Sequence, residues 1–184
     1  MTKSQPWYIQ TGLYLVIAIL VVILIKVAII DPKNAVEAEN YYKNESHLRM
    51  ENLKQGEILW QLKTGKFTGS LDSLVTFIET SPFVDSVKNA FDTLTQKSAN
   101  PFVALSSGSF TPESLYYSPR THQRFVLEVD TAVSADTIVN RRGQITRVDT
   151  STSIGNLYYI EDPDGNGSIG STTDQALKNT ASWE

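Results

Sequence analysis

From Trp7 to Ile30 the chain is apolar at nearly every position, in the run WYIQTGLYLVIAILVVILIKVAII, and Lys26 is its only charged residue. At about 1.5 Å of rise per residue, a helix over residues 8–30 spans the ~30 Å hydrocarbon layer of a bilayer, so this pattern predicts one transmembrane helix. Leu13, Val16, Leu20, Ile23 and Ile30 are its membrane and assembly positions. Trp7, Tyr8 and Tyr14 gather toward one end as interfacial aromatics do, and Lys26 lies within snorkelling reach of the other. Asp31-Pro32 then offers an N-cap followed by a proline suited to a first helical turn, and Pro32 is expected to break or restart the helix.

A second helical stretch covers residues 31–64. Ala35, Val36, Ala38, Tyr42, Leu48, Leu53, Leu59, Trp60 and Leu62 form a loose stripe of helical period among many Glu, Asn and Lys residues, sparse at first and dense after Leu48. That gradient predicts a stalk that becomes part of a core near Met50 to Leu62, with Gly65 ending it in a left-handed cap. Next, Ser70 is placed as an N-cap before Leu71, Leu74, Val75 and Ile78, which fall at i, i+3, i+4 and i+7 of a short helix. Residues 81–109 give a helical turn or two and then a loop. Beyond them the period becomes two: residues 115–118, 124–129, 137–139, 144–148 and 157–160 alternate or run apolar between PRTHQ, SAD, NRRG and STSIGN. Four or five antiparallel strands are expected. The fold class is therefore α+β, a long N-terminal helix with a transmembrane half and an amphipathic half packed on an antiparallel sheet. Its organisation is a short cytoplasmic N-terminus (1–7), a transmembrane helix (8–30), an extended helix or stalk (31–64) and a globular part (65–184).

Charge sharpens this division. All 20 acidic residues lie beyond residue 30, where they face 14 basic ones, so the soluble part is mildly acidic. Nucleic-acid binders gain most of their affinity from Lys and Arg neutralising phosphates, which argues against that class of partner. Lys3 precedes the apolar run, and Asp31, Lys33 and Glu37 follow it, so the positive-inside bias places the N-terminus in the cytoplasm and residues 31–184 outside. Val36-Glu37-Ala38 resembles a signal-peptidase site, but the apolar run exceeds the ~7–15 residues of a signal core, and an uncleaved anchor is expected. The absence of Cys excludes a disulfide framework, thiolate metal sites and a cysteine nucleophile.

A membrane helix running on through a proline, then Trp60, Thr64, Gly65, Phe67, Ser70 and Leu74 in the pattern W-x-x-x-T-G-x-[FY]-x-x-S-x-x-x-L, then a sheet, resembles type IV pilins and type II secretion pseudopilins. In major pseudopilins the chain ends in a calcium-binding loop and a tryptophan, and this one ends DPDGNGSIGSTTDQALKNTASWE with Trp183 in that position. The sequence is also similar to a family of single-span proteins from Bacteroidota that share the TGKFTGS, SLYYSP and terminal WE elements. The resemblance implies a pilin-like fold and a membrane-anchored structural subunit of a cell-envelope filament or secretion machine. Its partners would be the lipid bilayer, further copies of itself or other subunits of the machine. Pilins are cut after Gly in a G-F-T-L-x-E context, whereas Gly12 here is followed by Leu13-Tyr14-Leu15-Val16-Ile17, without that Phe or Glu.

Residues 162–169, DPDGNGSI, match the first two-thirds of an EF-hand-type loop. Asp162, Asp164 and Asn166 stand at ligand positions 1, 3 and 5, Gly167 at the turn, and Ser168 at position 7 offers its carbonyl. Position 12 is Thr173 instead of an acid, with Asp174 beside it. Two readings fit these residues: a calcium site made of Asp162, Asp164, Asn166, Ser168 and Asp174, or a tight turn, which uses the same residue types. His47 and His122 lack any ligand spacing and are expected at the surface. Gly165, Gly167 and Gly170 give G-x-G-x-x-G with no βαβ unit around it, and Arg141-Arg142-Gly143 reads as a hairpin turn before an anion site. Each of the pairs Tyr116-Tyr117 and Tyr158-Tyr159 would place one ring inward. No catalytic constellation emerges, so a non-enzymatic role is expected; the alternative is an extracytoplasmic binding, sensor or scaffold module that does not polymerise.

Overall fold

The computed structural model describes residues 7–92, 97–139 and 145–184. The chain divides into two compact units, one ending at Tyr42 and the other beginning at Lys43. In the first, α1 (Trp7–Ile25) leads into a π-helical turn, Lys26–Ile30, and then into α2 (Asp31–Thr64). Every residue from Trp7 to Ile30 is exposed, so this stretch contributes nothing to a protein core. It is long and apolar enough to cross a membrane, and is compatible with a single-pass anchor.

Pro32 does not break the helix. Asp31 is helical (φ −64°, ψ −47°) instead of extended as an N-cap would be, and its N–H donates to the Lys26 carbonyl five residues back. A proline in a helix loses one bond and clashes with the carbonyl four residues earlier, here that of Ala28. The wider π turn just before Pro32 spaces those groups apart, and the helix continues through it.

In the second unit α2 ends where the sequence predicts. Gly65, at φ +84°, donates its N–H to the Gln61 carbonyl at 2.8 Å, a left-handed cap. The Ser70 hydroxyl accepts from the Ser73 N–H and starts α3 (Leu71–Thr80), whose Leu71, Leu74, Val75 and Ile78 are all buried. A Cβ on Gly56 would lie 2.6 Å from the Ile78 side chain, which shows how closely α2 and α3 approach. Then come α4 (Pro82–Lys88), the short pair β1 (Phe91–Asp92) and β2 (Lys97–Ser98), a 3-10 turn over Pro112–Tyr116, and the sheet. Residues 115–118 thus hold the end of this turn and a single antiparallel bridge, Tyr117↔Arg124, in place of a full strand. Pro112 follows an extended Thr111, and Ser114 bonds back to the Thr111 carbonyl through both its amide and its hydroxyl, so a tight turn wins over a four-residue alternation.

The sheet has three antiparallel strands in the order β3 (Val126–Val139), β4 (Ile145–Glu161), β5 (Ser168–Gly170). Four of the expected short strands are really two long ones. Ser134, Ala135 and Asp136, which the sequence suggests as a turn, pair in register with Ser151, Thr150 and Asp149. The chain reversal lies between Val139 and Ile145; the expected turn there, with Arg141-Arg142-Gly143, falls outside the described residues, as do residues 1–6. The Gly-Asn signal at 155–156 marks an irregularity within β4, where Asp130 stands against three residues of β4 and the register shifts. Asp130 is buried and its Oδ1 accepts from the Asn156 and Leu157 amides at 2.6 and 2.7 Å, so one carboxylate satisfies the backbone that the bulge unpairs. Gly155 (φ +80°) lets β4 touch the loop after α2. Its carbonyl accepts from the Phe67 N–H at 2.7 Å, and a Cβ there would sit 2.5 Å from the Phe67 carbonyl.

The core joins Met50, Leu53 and Leu59 of α2 with Leu74, Val75 and Ile78 of α3, Val84, Leu115, Phe125, Leu127, Tyr158, Ile160 and Ile169. Burial of this kind stabilises by about 25 cal/mol per Å² of apolar surface. Leu62, expected in the core, is 70% exposed, because at about 100° per residue it falls on the opposite face of α2 from the buried Leu53. Tyr158 is buried and Tyr159 only partly so, as alternation on a strand requires.

Candidate functional site

The buried face of α2 carries polar residues among the apolar ones, and these reach out to segments that have no ladder partners. Glu45 is 3% exposed; its Oε1 accepts from Arg49 at 3.1 Å and its Oε2 from the Ser106 N–H at 2.9 Å. Burial works to raise its pKa, but the Ser106 and Arg49 bonds and the Arg49 charge outweigh that and hold it below the usual carboxylate range. Arg49 also donates to the Tyr117 carbonyl at 2.6 Å. Asn52, fully buried, donates to the Val103 carbonyl and accepts from the Val103 N–H, as a neighbouring strand would.

One turn earlier, Ser46 and His47 meet the Asp162–Gly167 turn. Asp162, 1% exposed, accepts on Oδ2 from Ser46 Oγ at 2.6 Å and from Asn166 Nδ2 at 2.5 Å, and on Oδ1 from the Asp164 N–H. The turn is closed by the Asp162 N–H on the Gly167 carbonyl and the Gly165 N–H on the Asp162 carbonyl. Asp164 faces elsewhere. Its two oxygens accept from Ser118 Oγ, Thr121 Oγ1 and the Thr121 N–H, tying down the turn before β3. Burial raises its pKa, and the Ser118 and Thr121 hydroxyls with the Thr121 and Arg120 amides more than reverse this, so the net shift is downward.

The histidines are more engaged than their spacing suggests. His47 Nε2 lies 2.8 Å from the Asn166 carbonyl, which has only lone pairs to offer, so this nitrogen carries the hydrogen. Its ring stacks on Trp183 at 3.8 Å and 6°, and Trp183 in turn covers Gly167, where a Cβ would meet the indole at 2.6 Å. The C-terminal tail is thereby clamped onto α2. His122 adopts a left-handed φ of 57°, with Nδ1 3.2 Å from the Ser118 carbonyl. Arg49, Ser114, Tyr117 and His122 line a cavity of about 360 Å³ beside it.

The arrangement answers the calcium expectation by its donor set. Calcium takes six to eight oxygens at about 2.3–2.6 Å converging on one centre. Here Asp162 and Asn166 bond to each other, with Asn166 offering its amide nitrogen, while Asp164 points to the Ser118–Thr121 turn. The Ser168 carbonyl accepts from the Ser182 N–H, and Asp174 caps the turn Gln175–Leu177 by accepting from the Ala176 N–H. In this arrangement both carboxylate oxygens of Asp162 and of Asp164, the Ser168 carbonyl and Asp174 Oδ1 are engaged by N–H or O–H donors and are not gathered on one centre. Among the described residues no group of three or more His, Asp or Glu is placed to hold a metal.

Glu57, one turn beyond Leu53, was not foreseen from sequence. It is fully buried; one oxygen accepts from the Thr68 N–H at 3.1 Å and the other has no hydrogen-bond partner among the described residues. Burial pushes its pKa up to about 8, only partly offset by the Thr68 bond. Burial, and then the charges of Glu57 and Glu51, push the Tyr158 phenol up as well, while its hydroxyl donates to Asn179 at 2.7 Å. The available signal was positional, since Ser46, Met50, Leu53 and Glu57 follow the i, i+4, i+7, i+11 spacing of one helical face.

Two predictions follow from this geometry. Asp164→Ala removes the hydroxyl and amide bonds that hold the Ser118–Thr121 turn, and should lower the unfolding free energy of the full chain in detergent by about 1.5–3 kcal/mol. The loss should be equal in EDTA and in millimolar Ca²⁺; a wild-type melting temperature raised by calcium would restore the cation reading. For Glu57, the folded chain keeps the proton to about pH 8 and the unfolded chain releases it near 4.5. Stability therefore falls as pH rises through that window and levels off above it, by at most about 5 kcal/mol at ~1.36 kcal/mol per unit. Glu57→Gln should flatten the profile and raise the urea midpoint at pH 8, and an equally flat wild-type profile would contradict a neutral Glu57. Comparison with protein-family models, with curated proteins and with solved structures found no match to the chain, so the role of these residues rests on their own geometry.

Proposed function

We propose that the chain is a bitopic, non-enzymatic subunit of a cell-envelope assembly, anchored in the cytoplasmic membrane by residues 8–30, with its N-terminus inside and its domain outside. The observation that carries this reading is the fully exposed, acid-free run from Trp7 to Ile30, which continues as one helix into the structured domain. Such a surface is stable only against lipid or against other apolar helices. A long N-terminal helix whose second half enters an α+β domain with an antiparallel sheet is also the pilin-like arrangement that the Trp60–Leu74 element suggests.

The non-catalytic part of the reading is supported by how the reactive side chains are spent. Asp162, Asp164, Glu45, Ser118 and His47 each hold a loop or a turn, and no hydroxyl and imidazole are paired as nucleophile and base among the described residues. Side chains committed to such bonds position the loops and turns of the fold.

The test is the state of the full chain in gently solubilised native membranes. Native mass spectrometry should recover it above monomer mass, alone or with other subunits. Protease added outside spheroplasts should remove the domain and leave residues 1–30 protected. Exclusive recovery of monomers, or a protected domain, would overturn the assignment.

A further inference from the structure

The bulge in β4 uses only half of the carboxylate that serves it. Asp130 Oδ1 accepts from both the Asn156 and the Leu157 amide. Oδ2 has no hydrogen-bond partner among the described residues, although Asp130 is only 9% exposed. A buried charge of this kind is costly without a counter-charge or further donors. Asp130 lines a cavity of about 460 Å³, together with Gln61 near the end of α2, Asn156 and Leu157 of β4, and Gln175 and Lys178 of the C-terminal segment. That volume falls within the ~300–1,000 Å³ of small-molecule sites, which combine an enclosed space with a few convergent polar groups.

The wall opposite β3 and β4 carries the complementary charge. Lys178 Nζ lies over the Phe67 ring, 4.6 Å from its centroid, and donates to no acceptor among the described residues. Its segment is held on both sides, by the Gly170 N–H on the Thr180 carbonyl and by Asp174 capping the turn Gln175–Leu177. Asp130 and Lys178 share the cavity without forming an ion pair with each other. The side-chain amides of Gln61 and Gln175, each able to donate and accept, also have no partner among the described residues.

These groups select a ligand by its charges. A lone cation would satisfy Asp130 and be repelled by Lys178, a lone anion would do the reverse, and a sugar offers neither charge. A molecule that carries an ammonium and a carboxylate satisfies both, with the amides left to bind its remaining polar atoms. We propose that this cavity binds a small zwitterion, a free α-amino acid, with its ammonium on Asp130 Oδ2 and its carboxylate on Lys178 Nζ. The site goes beyond the reading of the chain as an anchored subunit and stands separately from it.

Thermal unfolding of the full chain in nonionic detergent and phosphate buffer tests this, with each common L-amino acid added in turn at about 10 mM. At least one should raise Tm by about 2 °C or more. Its N-acetyl derivative and its amide, each lacking one of the two charges, should raise Tm by less than about a quarter as much. Asp130→Asn keeps an oxygen for the two backbone amides and removes the charge, and Lys178→Met keeps a stem over Phe67. Each should weaken binding of that amino acid at least about tenfold in calorimetric titration. The derivative series needs no variant, so it decides even if a substitution impairs folding. No shift from any amino acid would overturn the proposal, as would derivatives that act as strongly as the parent, or full binding in both variants. A response to D-glucose or to glycerophosphoethanolamine with none to amino acids would likewise overturn it.

Discussion

The domain depends on a helix face that binds backbone. A loop that belongs to no ladder carries N–H and C=O groups that cannot be buried unpaired, since each orphan costs about 1–3 kcal/mol. Between Lys43 and Glu184 those groups are met from α2: Glu45 holds Ser106, Asn52 holds Val103, Arg49 holds Tyr117, His47 holds Asn166 and Glu57 holds Thr68. Met50, Leu53 and Leu59 supply the apolar burial between them. One face thus does two jobs, and the long segment from Asn100 to Thr111 can pack without forming a helix or strand of its own.

This solution has a weak point at Glu57. Its neighbour on the face is charged but compensated, Glu45 by Arg49 and Ser106, whereas among the described residues Glu57 has a single donor and an oxygen without one. Keeping the proton avoids burying a bare charge, at the cost of making the junction of α2 with the Phe67–Thr68 loop sensitive to alkaline pH. The same loop is gripped from the sheet by Gly155 and Tyr158, through the Phe67 N–H and the Phe67 ring at 4.6 Å. Loosening at Glu57 would therefore be felt at the bulge in β4, where Asp130 holds the two amides.

Much of this was legible from local chemistry. The bounds of α2, the Gly65 cap, the Ser70 cap and the buried positions of α3 follow from capping residues and helical spacing. The strand boundaries were not legible, because Ser134–Asp136 looks like a turn by residue type, yet these residues pair in register with Asp149, Thr150 and Ser151, and pairing with a remote strand overrides local turn preference. Pro32 misleads for a related reason: its effect on a helix depends on whether the preceding turn can widen, and here it does. The loop at 162–167 shows the limit of motif reading. Asp, Asn and Gly at those spacings serve a cation shell and a hydrogen-bonded turn equally well, and only the positions of Ser46, Ser118 and Thr121, remote in sequence, distinguish the two. The role of α2 was hidden because a search for apolar stripes passes over Glu45, Asn52 and Glu57.

The chain combines an apolar helix long enough to cross a membrane with a domain whose loops are held by one helix face. Amide hydrogen exchange on the full chain in detergent tests that dependence most directly. If α2 organises the loops, the Thr68, Val103 and Ser106 amides should exchange as slowly as those of Met50 and Leu53, opening only when the helix does. Exchange of these three at the rate of unprotected loop amides, with α2 still protected, would contradict the account.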